Sequence, residues 1–142
     1  MLAEMKKLVG EKNTCVLATI AANKPYCSLM AYVANEDCTE IYMATHRSTM
    51  KFRNLSENPA VSLMIDTRED APRTQARALT VEGTCTPIED DSKKKLVRTR
   101  LLSIHPHLED FLAHIDNEIL CVTIRSFLLL KGLTEAHHAT LG

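Results

Sequence analysis

Between residues 45 and 51 the chain carries Thr45, Arg47, Ser48, Thr49 and Lys51. Three hydroxyls, a guanidinium and an ammonium thus fall within seven residues. The stretch TMKFRNLSEN (49–58) that follows reads as a short helix, with Ser48 as its N-cap and Pro59 as its stop. Fixed donors, a cation and the positive end of a helix are what a phosphate group requires. On the residues alone the plainer reading is a solvated helix start with ordinary basic residues.

Six histidines are present: His46, His105, His107, His114, His137 and His138. Neutral imidazole is a common metal ligand. His105-Pro106-His107 flanks a helix break, but it has no Cys or carboxylate pattern beside it, so these read as solvated loop histidines and no metal site is expected. Cys15, Cys27, Cys38, Cys85 and Cys121 are odd in number, scattered, and form no CxxC pair. They read as free thiols in a reducing compartment. Cys15, Cys27 and Cys121 fall in strand-like stretches, where cysteine acts as a small apolar filler. No Ser/His/Asp or Cys/His constellation is visible, so no general acid or base is assigned.

The elements that must position these groups are mostly strands. Residues 1–10 carry Leu2, Met5, Leu8 and Val9 on one helical stripe, closed by Gly10. CVLATIA (15–21), YCSLMAYVA (26–34) and EIYMA (40–44) read as three strands joined by short polar turns, an antiparallel meander. AVSLMID (60–66) is a fourth strand, followed by a polar loop over 67–75. ARALTVEGTCTPI (76–88) alternates and holds Gly83, a candidate bulge. Residues 89–104 read as a helix capped by Asp90 or Asp91, and 107–115 as a further helical turn or two after Pro106. Residues 118–133 read as two strands or one bent strand, and the end of the chain as a frayed polar tail. With no βαβ alternation, this pattern predicts an α+β fold built on an antiparallel barrel.

The chain has 142 residues, 45% apolar and 25% charged, which suits one globular domain over 1–142. A net charge of -1 supplies no bulk attraction to nucleic acid or an anionic membrane. The N-terminus lacks the apolar core of a secretory leader, and no stretch approaches the ~20 apolar residues of a membrane helix. A cytoplasmic location is expected.

Several segments, taken in order, carry a resemblance. VLAT (16–19), KPYCSLMAYV (24–33), IYMATHRSTMK (41–51), NLSENPAVSLMI (54–65) and LTVEGTCTPIED (79–90) follow one another as in the pyridoxamine-phosphate-oxidase-like FMN-binding split barrels. The chain resembles that family over roughly residues 12–90. The resemblance implies an antiparallel split β-barrel of six to seven strands, Greek-key in type, with two to four short helices. It implies FMN as cofactor, with Thr45, Thr49 and Lys51 at family phosphate positions. The family often has Arg or Lys where Met50 stands, and Arg47 is the residue that could replace that charge. Ser28, Leu29, Met30 and Ala31 would line the polar edge of the flavin ring, and Ala44 would lie near it. The alternative for Ser28 and Met30 is plain strand residues.

Departures from the family matter. An arginine is frequent at the Ser28 position and a glutamine at the Ala78 position, so flavin would lose two sets of hydrogen bonds. The chain has no Trp, and its tail lacks the segment that holds pyridoxamine in the vitamin-processing oxidases. That activity is therefore not expected; a flavin-dependent oxidoreductase of unassigned substrate is, with a non-enzymatic flavin electron carrier as alternative. GLTEAHH (132–138) is loosely similar to a C-terminal segment of split barrels linked to haem utilisation, which makes haem the other cofactor reading, with His137 as ligand and His138 as substitute. Proteins of this group pair, and FLLL (127–130) lacks the alternation of a half-solvated strand, so a homodimer with the cofactor near the subunit interface is expected.

Overall fold

In the computed structural model, which describes all 142 residues, helix α1 (Leu2–Glu11) leads into β1 (Thr14–Ala21) and β2 (Lys24–Ala31). Ala22 and Asn23 join the two strands, both with left-handed backbone (φ 51 and 62). Positive φ at both central residues twists a tight turn to match its flanking strands. The chain continues through β3 (Val33–Ala34), β4 (Glu40–His46), α2 (Met50–Glu57), β5 (Ala60–Asp66), β6 (Arg77–Pro87) and α3 (Asp91–Ile104). A 3-10 turn at Pro106–Leu108, α4 (Glu109–Ala113), β7 (Asn117–Lys131) and β8 (Glu135–Thr140) complete it.

All the strands belong to one curled antiparallel sheet in the order β2-β1-β5-β6-β7-β4-β3, with β8 added beside β7. Strand β7 is the spine. Its first half pairs with β4, its second half with β8, and β6 runs along its other edge. The β6–β7 register shifts between Glu82 and Gly83. There the backbones close in: a Cβ on Gly83 would stand 2.3 Å from Thr123 O. Only glycine permits that approach, and the bulge bends the sheet.

Alternate side chains of the strands, with Met5, Leu8 and Val9 of α1, make a 21-residue core inside the curl. A second cluster lies on the other face of β4 and β7, where Tyr42, Ala44, Ile119 and Cys121 meet Val97 and Leu101 of α3 and Leu112 of α4. β4 is therefore covered on both faces, which explains its unbroken apolar run. The fold is the expected α+β split barrel, with four helices.

Of the two alternatives for the stretch after residue 117, the structure has the single strand β7 (Asn117–Lys131). Three details differ from the sequence reading. β2 stops at Ala31, because Tyr32 turns into the core and donates its hydroxyl to Val9 O at 2.7 Å. The end of the chain is not frayed but forms β8, with Ala139 and Leu141 packed on the core. FLLL alternates after all: Phe127 and Leu129 are buried, while Leu128 and Leu130 stand on the outer face of the curl.

Candidate functional site

The loop from β4 to α2 is built by one hydroxyl. Thr49 is the N-cap of α2: its Oγ1 accepts from Phe52 N at 3.3 Å and donates to His46 O at 2.9 Å. Its single proton is thereby used, so the 3.0 Å contact with Thr45 Oγ1 has Thr45 as donor. Ser48, expected as the cap, stands exposed one residue earlier; the extended φ, ψ of the cap (-82, 155) occurs at Thr49 instead. Thr45 is fully buried.

The charged members part company. Arg47 turns away from the helix. Its guanidinium donates to Ile115 O at 2.7 Å and lies 3.3 Å from Glu118 and 3.5 Å from Asp116. Lys51 is half-buried and makes no ion pair. The backbone N–H groups of Met50 and Lys51 have no protein acceptor. Ser48, Lys51 and these two N–H groups are the donors left for an anion, at the positive end of a helix.

The expected ring-lining residues do not share a face. Ser28 and Met30 point to the inner side of β2, and Met30 is buried in the core. Leu29 points outward and is 81% exposed, with Ala31 on the same side. Ala44 is buried beneath α3. Strand β2 lies at the end of the sheet order, so one edge of its backbone is unpaired and offers N–H and C=O groups. Leu29 heads a cross-strand row over the outer face, through Val16, Met64, Thr80 and Leu128 to His138. This is an exposed, largely apolar sheet face, of the kind that marks interaction sites.

The histidines fall into three settings. His105, expected in a solvated loop, is buried, with Nε2 2.9 Å from Tyr32 O. His46 stacks on Phe111 and His114, with ring centroids 3.8 and 4.6 Å away. His137 and His138 sit on β8 and face opposite sides; His137 Nε2 is 2.9 Å from Glu135 Oε2 and His138 is exposed. No group of three or more His, Cys, Asp or Glu is placed to hold a metal ion. Burial pushes the thiols of Cys15 and Cys85 up to about 12 and that of Cys121 up to about 11, so none of these is a thiolate nucleophile near neutrality.

Two arrangements had no counterpart in the sequence reading. Asn54 Nδ2 donates to Thr19 Oγ1 at 3.1 Å, a buried bond that seats α2 on β1. Its signal was the Asn54 side chain on the inward face of a short helix. Glu40 accepts from the Tyr42 hydroxyl at 2.6 Å and from Lys93 at 3.1 Å. The phenol, with the ammonium behind it, holds the carboxyl below its ordinary range.

No curated protein matches the sequence. Among solved structures, a haem-binding protein from Mycobacterium smegmatis is similar over 96% of this chain, with a TM-score of 0.84 and 18% identity. This chain covers 56% of that one, just over half its length. An FAD-binding protein from Mesorhizobium loti matches 91% of this chain and 93% of its own, with a TM-score of 0.76 and 18% identity. A putative pyridoxamine 5'-phosphate oxidase from Listeria innocua matches 90% and 96%, with a TM-score of 0.72 and 17% identity. At these identities the likeness is one of fold. The family model described as pyridoxamine 5'-phosphate oxidase matches residues 1–127, nearly the whole barrel, and the chain belongs to that family.

Proposed function

We propose that this chain binds FMN at the junction of α2 and β2 and acts, as a cytoplasmic homodimer, as a flavin-dependent oxidoreductase on a small molecule. The observation that carries the reading is the start of α2, where Lys51, Ser48 and two free backbone N–H groups follow directly on β4, a strand that contacts the end strand β2. These donors fit a phosphate monoester. The outward Leu29 and the β2 edge fit an apolar ring with a polar rim. Thr45 and Thr49 shape the loop, and Arg47 braces it against the start of β7. Bound flavin supplies hydride or single-electron chemistry at its ring. The outer sheet face is the surface a second copy would cover, closing the open side of the site.

The test is the visible spectrum of the purified protein before and after one equivalent of FMN. Oxidised-flavin bands that remain through gel filtration support the reading, and a colourless eluate refutes it. Turnover of a reduced nicotinamide with an acceptor then separates an oxidoreductase from an electron carrier.

A second reading, haem binding, is favoured by β8. That strand holds two adjacent imidazoles in an ordered position, His137 oriented by Glu135 and His138 in the apolar outer row. A carboxylate on the far nitrogen is a common way to orient a ligating imidazole. A Soret band on adding haemin, lost in His137→Ala, supports this reading with His137 as ligand; loss in His138→Ala moves the ligand to the outer face.

A further inference from the structure

At one point strand β7 places two neighbouring side chains on the outer side of the curl. Ile124 and Phe127 both enter the core, so Arg125 and Ser126 between them stand off it together. The register shows why. Glu82 pairs with Ser126 and Gly83 with Ile124, which leaves Arg125 as the extra residue of the bulge. A bulge re-aims a side chain, and such devices are over-represented beside active sites. Here the re-aimed side chain lines a pocket of about 400 Å³.

The pocket runs over the outer face from the Ala18–Ser62–Glu82–Ser126 row toward the β1–β2 hairpin, away from the row that Leu29 heads. Ala18, Ile20, Pro25 and Ala60 give it an apolar floor. Two charges of opposite sign stand at it, Glu82 and Arg125. Glu82 is oriented by the buried Ser126, whose hydroxyl donates to its Oε2 at 3.3 Å. The Arg125 guanidinium has neither a hydrogen bond nor an ion pair within the chain. The two charges thus line one pocket without pairing with each other. The gap between them suits a molecule that carries both signs.

We propose that this pocket binds a small zwitterion, an α-amino acid with an aliphatic side chain. Its carboxylate would meet the planar fork of Arg125, a geometry that takes a carboxylate through two parallel bonds. Its ammonium would meet Glu82, with the Ser62 hydroxyl beside it, and its side chain would lie on the apolar floor. A bare anion would gain Arg125 but be repelled by Glu82, and a bare cation the reverse. An apolar wall with a few placed polar groups is the usual make-up of a small-molecule site, and the volume suits one. The pocket shares no residue with the α2 corner, and the proposal does not depend on the flavin reading.

The experiment is a titration of the ¹⁵N-labelled full chain, without added cofactor, with L-leucine at constant ionic strength. Isocaproate, which lacks the ammonium, and isoamylamine, which lacks the carboxylate, are the controls. Saturable shifts of backbone amides 18–20, 60–62, 82–83 and 125–126 are expected, with leucine bound about tenfold or more tighter than either control. In Arg125→Gln leucine should bind no tighter than isoamylamine, and in Glu82→Gln no tighter than isocaproate. Both side chains are exposed, and unchanged amide positions elsewhere verify the fold. Shifts that grow linearly without saturating, leucine no tighter than the controls in the unchanged chain, or a preference for leucine that persists in both variants would overturn the proposal. So would a change of oligomeric state in either variant by sedimentation velocity, which would assign the two charges to a contact between copies.

Discussion

Lys51 and Arg47 are both cations of the β4–α2 loop, yet their surroundings assign them different work. Arg47 donates to Ile115 O and faces Asp116 and Glu118, so its charge is spent on joining the loop to β7. Lys51 has no such partner. In Lys51→Ala the affinity for FMN should fall by roughly 1.5–3 kcal/mol, the range for a charge-assisted bond, read by flavin fluorescence titration; unchanged affinity would remove Lys51 from the site. Glu40 gives a pH-dependent counterpart. Its carboxyl is held low, first by the Tyr42 hydroxyl and then by Lys93. A group depressed in the folded state stabilises above its ordinary pKa, and that contribution is lost as pH falls through the depressed value. Glu40→Gln should therefore cost about 1 kcal/mol at neutral pH, since the pair is partly exposed. The gap from the unsubstituted chain in thermal melting should close as the pH drops below about 4. A gap that is constant with pH would mean the carboxylate charge contributes nothing.

At the scale of elements, two backbone devices shape the site. The cap at Thr49 starts α2 with its N–H groups facing outward. Thr49→Ala should destabilise the fold by about 1 kcal/mol in a denaturant melt, the usual cost of a lost cap. The bulge at Gly83 bends β6 across β7, where Thr123 O leaves no room for a Cβ. Gly83→Ala must move backbone rather than a flexible side chain. It should cost roughly 2–3 kcal/mol, measured by the same melt. A neutral result would mean the β6–β7 register can slide without penalty.

For the molecule as a whole, the exposed row from Leu29 to His138 is the feature a single chain leaves unexplained. Leu29 is 81% exposed, so a charge there should leave the isolated subunit folded. If a second copy covers this face, Leu29→Lys should shift the protein from dimer to monomer by sedimentation velocity. FMN retention should fall with it if the cofactor site spans the subunits. A dimer that survives the substitution would place the interface elsewhere. No helix is long and apolar enough to cross a membrane.

Local chemistry carried a large part of this protein in its sequence. Apolar, β-rich runs marked β1 and β5, alternation marked β6, turn residues marked the β1–β2 hairpin, Asp90 and Pro59 bounded helices, and Gly83 marked the bend. These depend on neighbours within a few residues, so a one-dimensional reading reaches them. The ordered segments from VLAT to the Gly83 strand also carried the family. Tertiary structure decided what depends on distant partners. Arg47, in the loop between β4 and α2, is held by Glu118, 71 residues away. His105 is buried because Tyr32 O, 73 residues earlier, comes to its ring. The polar tail became β8 because the second half of β7 extends past β4 and offers it a strand edge. The contacts of Arg47 and His105 join segments far apart in the chain, and residue type alone does not say which segments will meet.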